Sequence, residues 1–173
     1  MNVEEIQEGA EHAHQHGEKK IGLTMAIVAV LLAVATLLSH RAHTEEVVLQ
    51  TKVNDQWGYY QAKNIRSHMY AADAKLAGLM TNGKDLAGDF TKDSDKQKKD
   101  AEEIRKEAET LDKDTKLIEH RANYYDASEL CLEISIVLCS IALLAEMKLF
   151  WQLSFISTTI GVAVALWGTL GLH

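Results

Sequence analysis

The side chains best suited to bind a ligand or a partner lie in the stretch DQWxxYQAKxIRxH, which begins at Asp55. This stretch combines aromatic rings with cationic and titratable groups, a mixture that can hold an aromatic, quinone-like ligand or dock a partner. It contains no nucleophile with an adjacent base. An aromatic belt near a membrane or a helix contact is the alternative interpretation. Two further tyrosines, Tyr124 and Tyr125, are expected to approach this stretch from a second helix that runs back along the first. The candidate contact residues are therefore Trp57, Tyr60, Lys63, Arg66, His68, Tyr124 and Tyr125.

Glu133 is an ionisable residue inside an otherwise apolar run. A carboxyl group at membrane depth is costly and is by default a candidate for proton or ion transfer. It lies about one turn inside the run, so an alternative is that its side chain reaches back to the membrane surface. The hydroxyl groups that would share a proton path with it are Ser154, Ser157, Thr158 and Thr159.

The histidines near the N-terminus alternate at His12, His14 and His16. On a helix, His12 and His16 would share a face, as ligands of copper, nickel or zinc do. No cysteine or further ligand pattern accompanies them. We therefore expect no metal, no cofactor and no enzymatic activity.

These candidates must be positioned by helices. The chain has 173 residues, of which 47 % are hydrophobic, and contains no proline. Long unbroken helices exclude proline, whereas turn-rich β folds use it, so an all-α protein is predicted. The net charge of -7 comes from interleaved acidic and basic residues without a basic patch, and nucleic-acid binding is not expected.

Three apolar runs predict transmembrane helices, at residues 21–38, 130–145 and 149–172. The first carries no charge and spans roughly 27 Å as a helix, close to the thickness of the hydrocarbon core. The polar tail of residues 1–20 before it is acidic and argues against a cleaved signal peptide. Small residues on two spans predict helix-packing faces, comprising Ala26, Ala29, Ala33, Gly161, Ala165 and Gly168.

Basic residues in short loops predict the orientation of these spans. Lys19 and Lys20 precede the first span, and Lys148 lies in the turn between the second and third. Because short basic loops stay in the cytoplasm, the N-terminus and the Lys148 turn are predicted to be cytoplasmic. The polar segment of residues 39–128 is then extracytoplasmic.

The segment of residues 39–128 is predicted to be an antiparallel helical hairpin with its turn at about residues 81–94, where Asn82 and Gly83 signal a chain reversal. Ser94 and Gln97 fit a capping box at the start of the return helix. The outgoing helix carries an apolar seam at spacings of four and three, formed by Ile65, Met69, Ala72, Leu76 and Leu79. The return helix keeps its own register at Ala101, Ile104, Ala108, Leu111, Thr115, Ile118, Ala122 and Tyr125.

With these segments, the SHRAH sequence that begins at Ser39 and the DQWxxYQAKxIRxH stretch, the chain resembles a bacterial family of short membrane proteins that is known only as a domain of unknown function. The resemblance covers nearly the whole chain and implies three spans, but it carries no activity or cofactor. In similar proteins the last hairpin turn is more basic than Glu146, Met147 and Lys148, which implies a cytoplasmic turn.

The sequence therefore predicts a non-enzymatic protein of the bacterial inner membrane, whose surroundings are the lipid bilayer. It would act as a scaffold or an accessory subunit, either as a homo-oligomer or within a larger membrane complex. The alternative is an oligomer that conducts protons or ions through Glu133 and the hydroxyl groups of the third span.

Overall fold

Three helices make up the chain in the computed structural model, which describes residues 3–170 and the side chains of residues 19–170. The helices are α1 (Val3–Gly78), α2 (Lys84–Ala145) and α3 (Lys148–Leu170). The predicted all-α fold is confirmed, and α1 pairs closely with α2. The N-terminal tail continues α1 as helix from Val3, and the side chains of His12, His14 and His16 lie outside the described residues.

Each helix contains a window of 18 residues that is long and apolar enough to cross a membrane. At most 28 % of any such window is buried inside the chain, so most of its apolar side chains face outward. An apolar surface of this kind is stable in lipid and unfavourable in water. The chain is therefore a multi-pass membrane protein.

The turn between α1 and α2 is shorter than predicted, because α1 ends at Gly78 and α2 already begins at Lys84. Asn82 has a left-handed backbone with φ of 66°, and a Cβ on Gly83 would overlap the main-chain oxygen of Ala77. Asn and Gly tolerate such backbone demands, which explains the reversal at this point. The predicted capping box is wrong, because Ser94 lies within α2 and not at its start. Its side chain is buried and donates a hydrogen bond to the main-chain oxygen of Ser67.

The residues divide into two compact units. The hairpin unit, Thr44–Leu117, contains the later part of α1 and the first part of α2. The bundle unit, Met1–His43 with Ile118–His173, contains the rest of both helices and α3.

In the hairpin unit the predicted seam of α1 is wrong. Ile65, Met69, Leu76 and Leu79 are 59–86 % exposed, and Ala72 is exposed as well. The side of α1 that contacts α2 instead repeats every seven residues through Val53, Tyr60, Ser67 and Ala74, all buried or half-buried. Both sides of α1 have the spacing of a coiled-coil seam. The more polar side faces α2 because polar contacts with α2 stabilise this arrangement.

The register predicted for α2 is confirmed. In the hairpin unit Ala101, Ile104, Ala108 and Thr115 are buried, and Leu111 is half-buried. The alanines allow close approach of the two helix backbones. The remaining positions belong to the bundle unit, where Ala122 and Tyr125 are buried and Ile118 is half-buried.

The core of the bundle unit lies between α1 and α2, where Val28, Ala35 and Leu132 are almost fully buried. The proposed packing face of Ala26, Ala29 and Ala33 is exposed, because α1 turns Val28 and Ala35 toward α2 instead. A second cluster is formed by Ala42, Ala122 and Tyr125.

Helix α3 packs on α2 through two buried glycines seven residues apart, with the half-buried Ala165 between them. A Cβ on Gly161 would lie 3.1 Å from the main-chain oxygen of Ser128. A Cβ on Gly168 would lie 2.8 Å from the Cβ of Tyr124. Because these two glycines have no side-chain carbon, the backbone of α3 can approach α2 closely.

Candidate functional site

A carboxylate cluster in the bundle unit joins α1 to α2. Ser39 Oγ donates a hydrogen bond to Asp126 Oδ1 at 2.5 Å, and His43 Nε2 lies 3.0 Å from Asp126 Oδ2. One turn away, Thr36 Oγ1 donates to Glu129 Oε1 at 2.6 Å. The two carboxylates thus accept hydrogen bonds from three successive turns of α1.

The charge state of Asp126 follows from these contacts. Partial burial raises the pKa of Asp126, but the hydrogen bonds from Ser39 and His43 favour the ionised form and bring its pKa below the usual value. The carboxylate lies between the hydroxyl and the imidazole. In a hydrolytic triad the imidazole lies between the other two groups, so His43 is not placed to accept the proton of Ser39.

Hydroxyl groups also join α2 to α3. Ser135 Oγ donates to the main-chain oxygen of Ser154 at 2.9 Å and lies 2.7 Å from Thr158 Oγ1. Ser157 Oγ donates to the main-chain oxygen of Cys131 at 2.7 Å. These bonds satisfy polar groups that would otherwise be costly in an apolar environment.

Glu133 takes no part in this hydroxyl network within the chain. Its side chain is exposed and forms no hydrogen bond or ion pair with another described residue. Thr159 is turned to its own helix and donates to the main-chain oxygen of Phe155. The sequence did not single out Ser135. The available signal was its spacing of seven residues from Ser128, which is also buried, because a seven-residue spacing places both serines on one helix face.

The aromatic and basic stretch of α1 mainly contacts its own helix and α2. Within the hairpin unit, the rings of Trp57 and Tyr60 meet edge to face, with centroids 5.6 Å apart. Lys63 Nζ lies 2.9 Å from Asp100 Oδ2 and 5.7 Å from the ring centroid of Tyr59. Close by, Gln56 Nε2 donates to Glu107 Oε2 at 2.5 Å.

The contact between Lys63 and Asp100 shifts the pKa of both side chains. The hydrogen bond to Asp100 raises the pKa of Lys63 above its ordinary value. The same bond lowers the pKa of Asp100 below its ordinary value. Both shifts favour the charged pair, so this contact stabilises the antiparallel register of α1 and α2.

The other predicted contact residues lie elsewhere. Arg66 and His68 are exposed on the two flanks of α1, on either side of the buried Ser67. Tyr125 is buried against Ala42 in the bundle unit, and Tyr124 lies against Gly168. The seven candidates therefore do not share one pocket in either unit.

A shallow groove does adjoin Arg66 in the hairpin unit, with a volume of about 450 Å³. It is open to solvent and combines apolar side chains with two opposite charges. Its lining residues are Ala62, Ile65, Arg66, Met69, Tyr70 and Asp73.

In the part of the chain whose side chains are described, residues 19–170, no three histidine, cysteine, aspartate or glutamate side chains are grouped as metal ligands. The same region contains two cysteines, Cys131 and Cys139, which are free thiols. Cys139 contacts Ser154 Oγ at 3.3 Å between α2 and α3.

The fold and these contacts define a class, a multi-pass helical membrane protein with an antiparallel hairpin. The chain belongs to the family described as a domain of unknown function, DUF4337, whose sequence model matches residues 17–171. The resemblance inferred from the sequence is thereby confirmed at the level of the family. No curated protein and no solved structure matches the chain.

Proposed function

We propose that this protein is a structural subunit of a bacterial inner-membrane assembly, built from copies of itself or together with other proteins. One observation carries this proposal. The polar side chains best placed for chemistry contact each other across helices, as Lys63 does with Asp100 and Ser39 with Asp126. They join helices within the chain, as expected of a rigid scaffold.

The exposed apolar surface supports an assembly. In the hairpin unit, outside the predicted span of residues 21–38, α1 leaves Ile65, Met69 and Leu76 about 60 % exposed. Contiguous apolar surface of this kind on a water-exposed element marks a protein contact. In the spans the corresponding exposed side chains have lipid as their partner.

The proposed orientation puts the N-terminus and the Lys148 turn in the cytoplasm and the hairpin outside. Lys19, Lys20 and Lys148 support it, because basic residues in short loops remain in the cytoplasm. A test uses chains in which Cys131 and Cys139 are replaced by alanine and one cysteine is introduced. An impermeant thiol reagent should label Thr110→Cys in intact cells and label Met147→Cys only after permeabilisation. The reverse pattern contradicts the orientation.

The experiment that tests the scaffold is gentle detergent extraction, followed by mass determination and identification of co-purifying proteins. A mass of several chains supports self-assembly, and a stoichiometric second protein supports an accessory subunit. Recovery of the monomer alone, also after chemical crosslinking in native membranes, contradicts both.

One observation favours a second candidate, an oligomer that conducts protons or ions. Glu133 is exposed on the surface of α2 within the predicted second span. A carboxyl group facing lipid is unfavourable, and a neighbouring chain would shelter it. In a liposome flux assay Glu133→Gln should abolish conduction if this candidate holds. A scaffold shows no flux above protein-free liposomes, with or without the substitution.

A further inference from the structure

In the hairpin unit, α1 carries a second apolar face that α2 does not cover. We define the outer stripe as Ala62, Ile65, Met69, Ala72, Leu76 and Leu79, which follow each other at spacings of three and four. All six are exposed, and the four large side chains are 59–86 % exposed. The stripe lies on nearly the opposite side of α1 from Tyr60, Ser67 and Ala74, which contact α2.

The spacing of the outer stripe is that of a coiled-coil seam sustained over successive turns. By contrast, every exposed residue of α2 between positions 91 and 114 is charged or threonine. Opposite this charged stretch of α2, the exposed apolar repeat therefore lies on α1. A solvated helix face has no need of such a repeat, whereas a helix that packs against another helix does.

We propose that the outer stripe is the contact between two copies of this chain, which pair in parallel through α1. The proposal rests on the self-assembly stated under the proposed function and names its surface. Two copies inserted in one membrane leave the first span in the same chain direction. Their stripes can then meet residue against the same residue, as in a parallel coiled coil of two-fold symmetry.

The residues beside the stripe fit this pairing. A coiled-coil seam alternates between a positions and d positions, where each d follows its a by three residues. In a parallel coiled coil, the residue just before an a position faces the residue five positions later on the other helix. This rule brings His68 of each copy opposite Asp73 of the other, and Gln61 opposite Arg66. None of these four side chains forms a hydrogen bond or ion pair with another described residue of its own chain. Each is therefore available to a second copy.

Shape supports the same pairing. The groove beside Arg66 and Asp73 is lined by Ala62, Ile65 and Met69 of the stripe. Small residues in the stripe, Ala62 and Ala72, leave room for the larger side chains that precede and follow them. Two such surfaces can interlock without displacing α2, which occupies the other side of α1.

Single-cysteine crosslinking of the full chain in native membranes tests the proposal. With Cys131 and Cys139 replaced by alanine, Ala72→Cys introduces a thiol in the middle of the stripe. Thr110→Cys, exposed on α2, is the matched control. On mild oxidation the Ala72→Cys chain should form a disulfide-linked dimer and Thr110→Cys should not. Equal crosslinking of the two variants overturns the proposal.

The direction of pairing is tested with the same chains. In an antiparallel pair of matching register, residue 72 would face residue 69 of the other copy. A dimer formed only when Met69→Cys and Ala72→Cys chains are mixed therefore overturns the parallel arrangement. A dimer formed by each variant alone supports it.

The Leu76→Glu variant tests whether the outer stripe is the contact, separately from whether the chain self-assembles at all. Because Leu76 is 63 % exposed, the variant should keep the helicity of the wild type while its dimer dissociation constant in detergent rises at least about tenfold. Leu117→Glu, an exposed leucine of α2, is the control and should dimerise like the wild type. If the wild type assembles and Leu76→Glu assembles equally well, the stripe is not the contact. If the wild type is monomeric, self-assembly itself fails.

Discussion

Gly168 of α3 lies so close to α2 that a Cβ added to it would stand 2.8 Å from the Cβ of Tyr124. Tyr124 belongs to the first turns of the bundle unit after the hairpin, and its neighbour Tyr125 is buried against Ala42. A single glycine therefore determines how closely α3 approaches the tyrosine pair of α2. In an apolar environment, such close packing replaces the hydrophobic effect as the force between helices.

The contact predicts that Gly168→Ala destabilises the bundle. Its methyl group would force α3 away from Tyr124 or displace the ring, at a cost of about 1–3 kcal/mol in the free energy of unfolding. Thermal loss of helicity by the full chain in detergent measures it. Gly22→Ala is the control, since a Cβ there meets nothing within 4 Å, and it should be neutral or stabilising. Equal midpoints for the two variants contradict the packing.

The turn between α1 and α2 predicts a second pair of opposite effects. Gly83→Ala places a methyl group on the main-chain oxygen of Ala77 and should destabilise the hairpin by about 1–3 kcal/mol. Gly88→Ala adds a methyl group in open space inside α2, and should stabilise by up to about 1 kcal/mol. Denaturant titration followed by circular dichroism measures both. A stabilising Gly83→Ala would show that the turn has another conformation.

The Lys63–Asp100 pair predicts a dependence on pH. Because the pKa of Asp100 is lowered, its contribution to stability is present above its ordinary value of 3.8 and is lost as the pH falls through the lowered value. Because the pKa of Lys63 is raised, its contribution is present below 10.5 and is lost as the pH rises through the raised value. Asp100→Asn should therefore lower the melting midpoint slightly near pH 7.

The same comparison at low pH completes the test. As the pH falls through the lowered pKa of Asp100, the difference between the wild type and Asp100→Asn should shrink, because Asp100 is then protonated in both the folded and the unfolded chain. Asp89→Asn, which removes the exposed partner of Lys92, is the control and should have little effect at any pH. A difference that is constant with pH would mean that the amide acts through packing and not through charge.

Asp126→Asn is expected to weaken the contact of α1 with α2 in the bundle unit. The amide keeps one acceptor for Ser39 or His43 but loses the negative charge that strengthens both hydrogen bonds. Nearly half of the Asp126 side chain is exposed, so screening limits the expected loss at pH 7 to about 0.5 kcal/mol. The loss should vanish as the pH falls through the lowered pKa of Asp126. Asp114→Asn, an exposed site on α2, provides the comparison in thermal melts.

Several features of the fold follow directly from the sequence. The apolar runs predict the membrane helices, since a helix needs about 20 apolar residues to cross a bilayer. The alanine-rich register of α2 predicts its packed face, because most of the residues between its members are charged and only one side can be buried. Asn82 and Gly83 indicate the reversal, since their types tolerate a backbone that other residues avoid.

The face of α1 that packs against α2 could not be predicted in this way. Ile65 and Leu76 are more apolar than Ser67 and Lys63, and periodicity alone assigns them to the core. The tertiary structure buries the more polar face because Ser94 and Asp100 of α2 meet it with complementary donors and acceptors. The packing face of α3 with Gly161 and Gly168 was predicted from its small residues, but only the tertiary structure shows that this face meets α2.

The sequence alone thus determined the number and the apolar character of the helices, since these depend on local composition. The tertiary structure decided which side of α1 contacts α2 and where Glu133 lies relative to the hydroxyl groups of α3, because both depend on residues far apart in the chain.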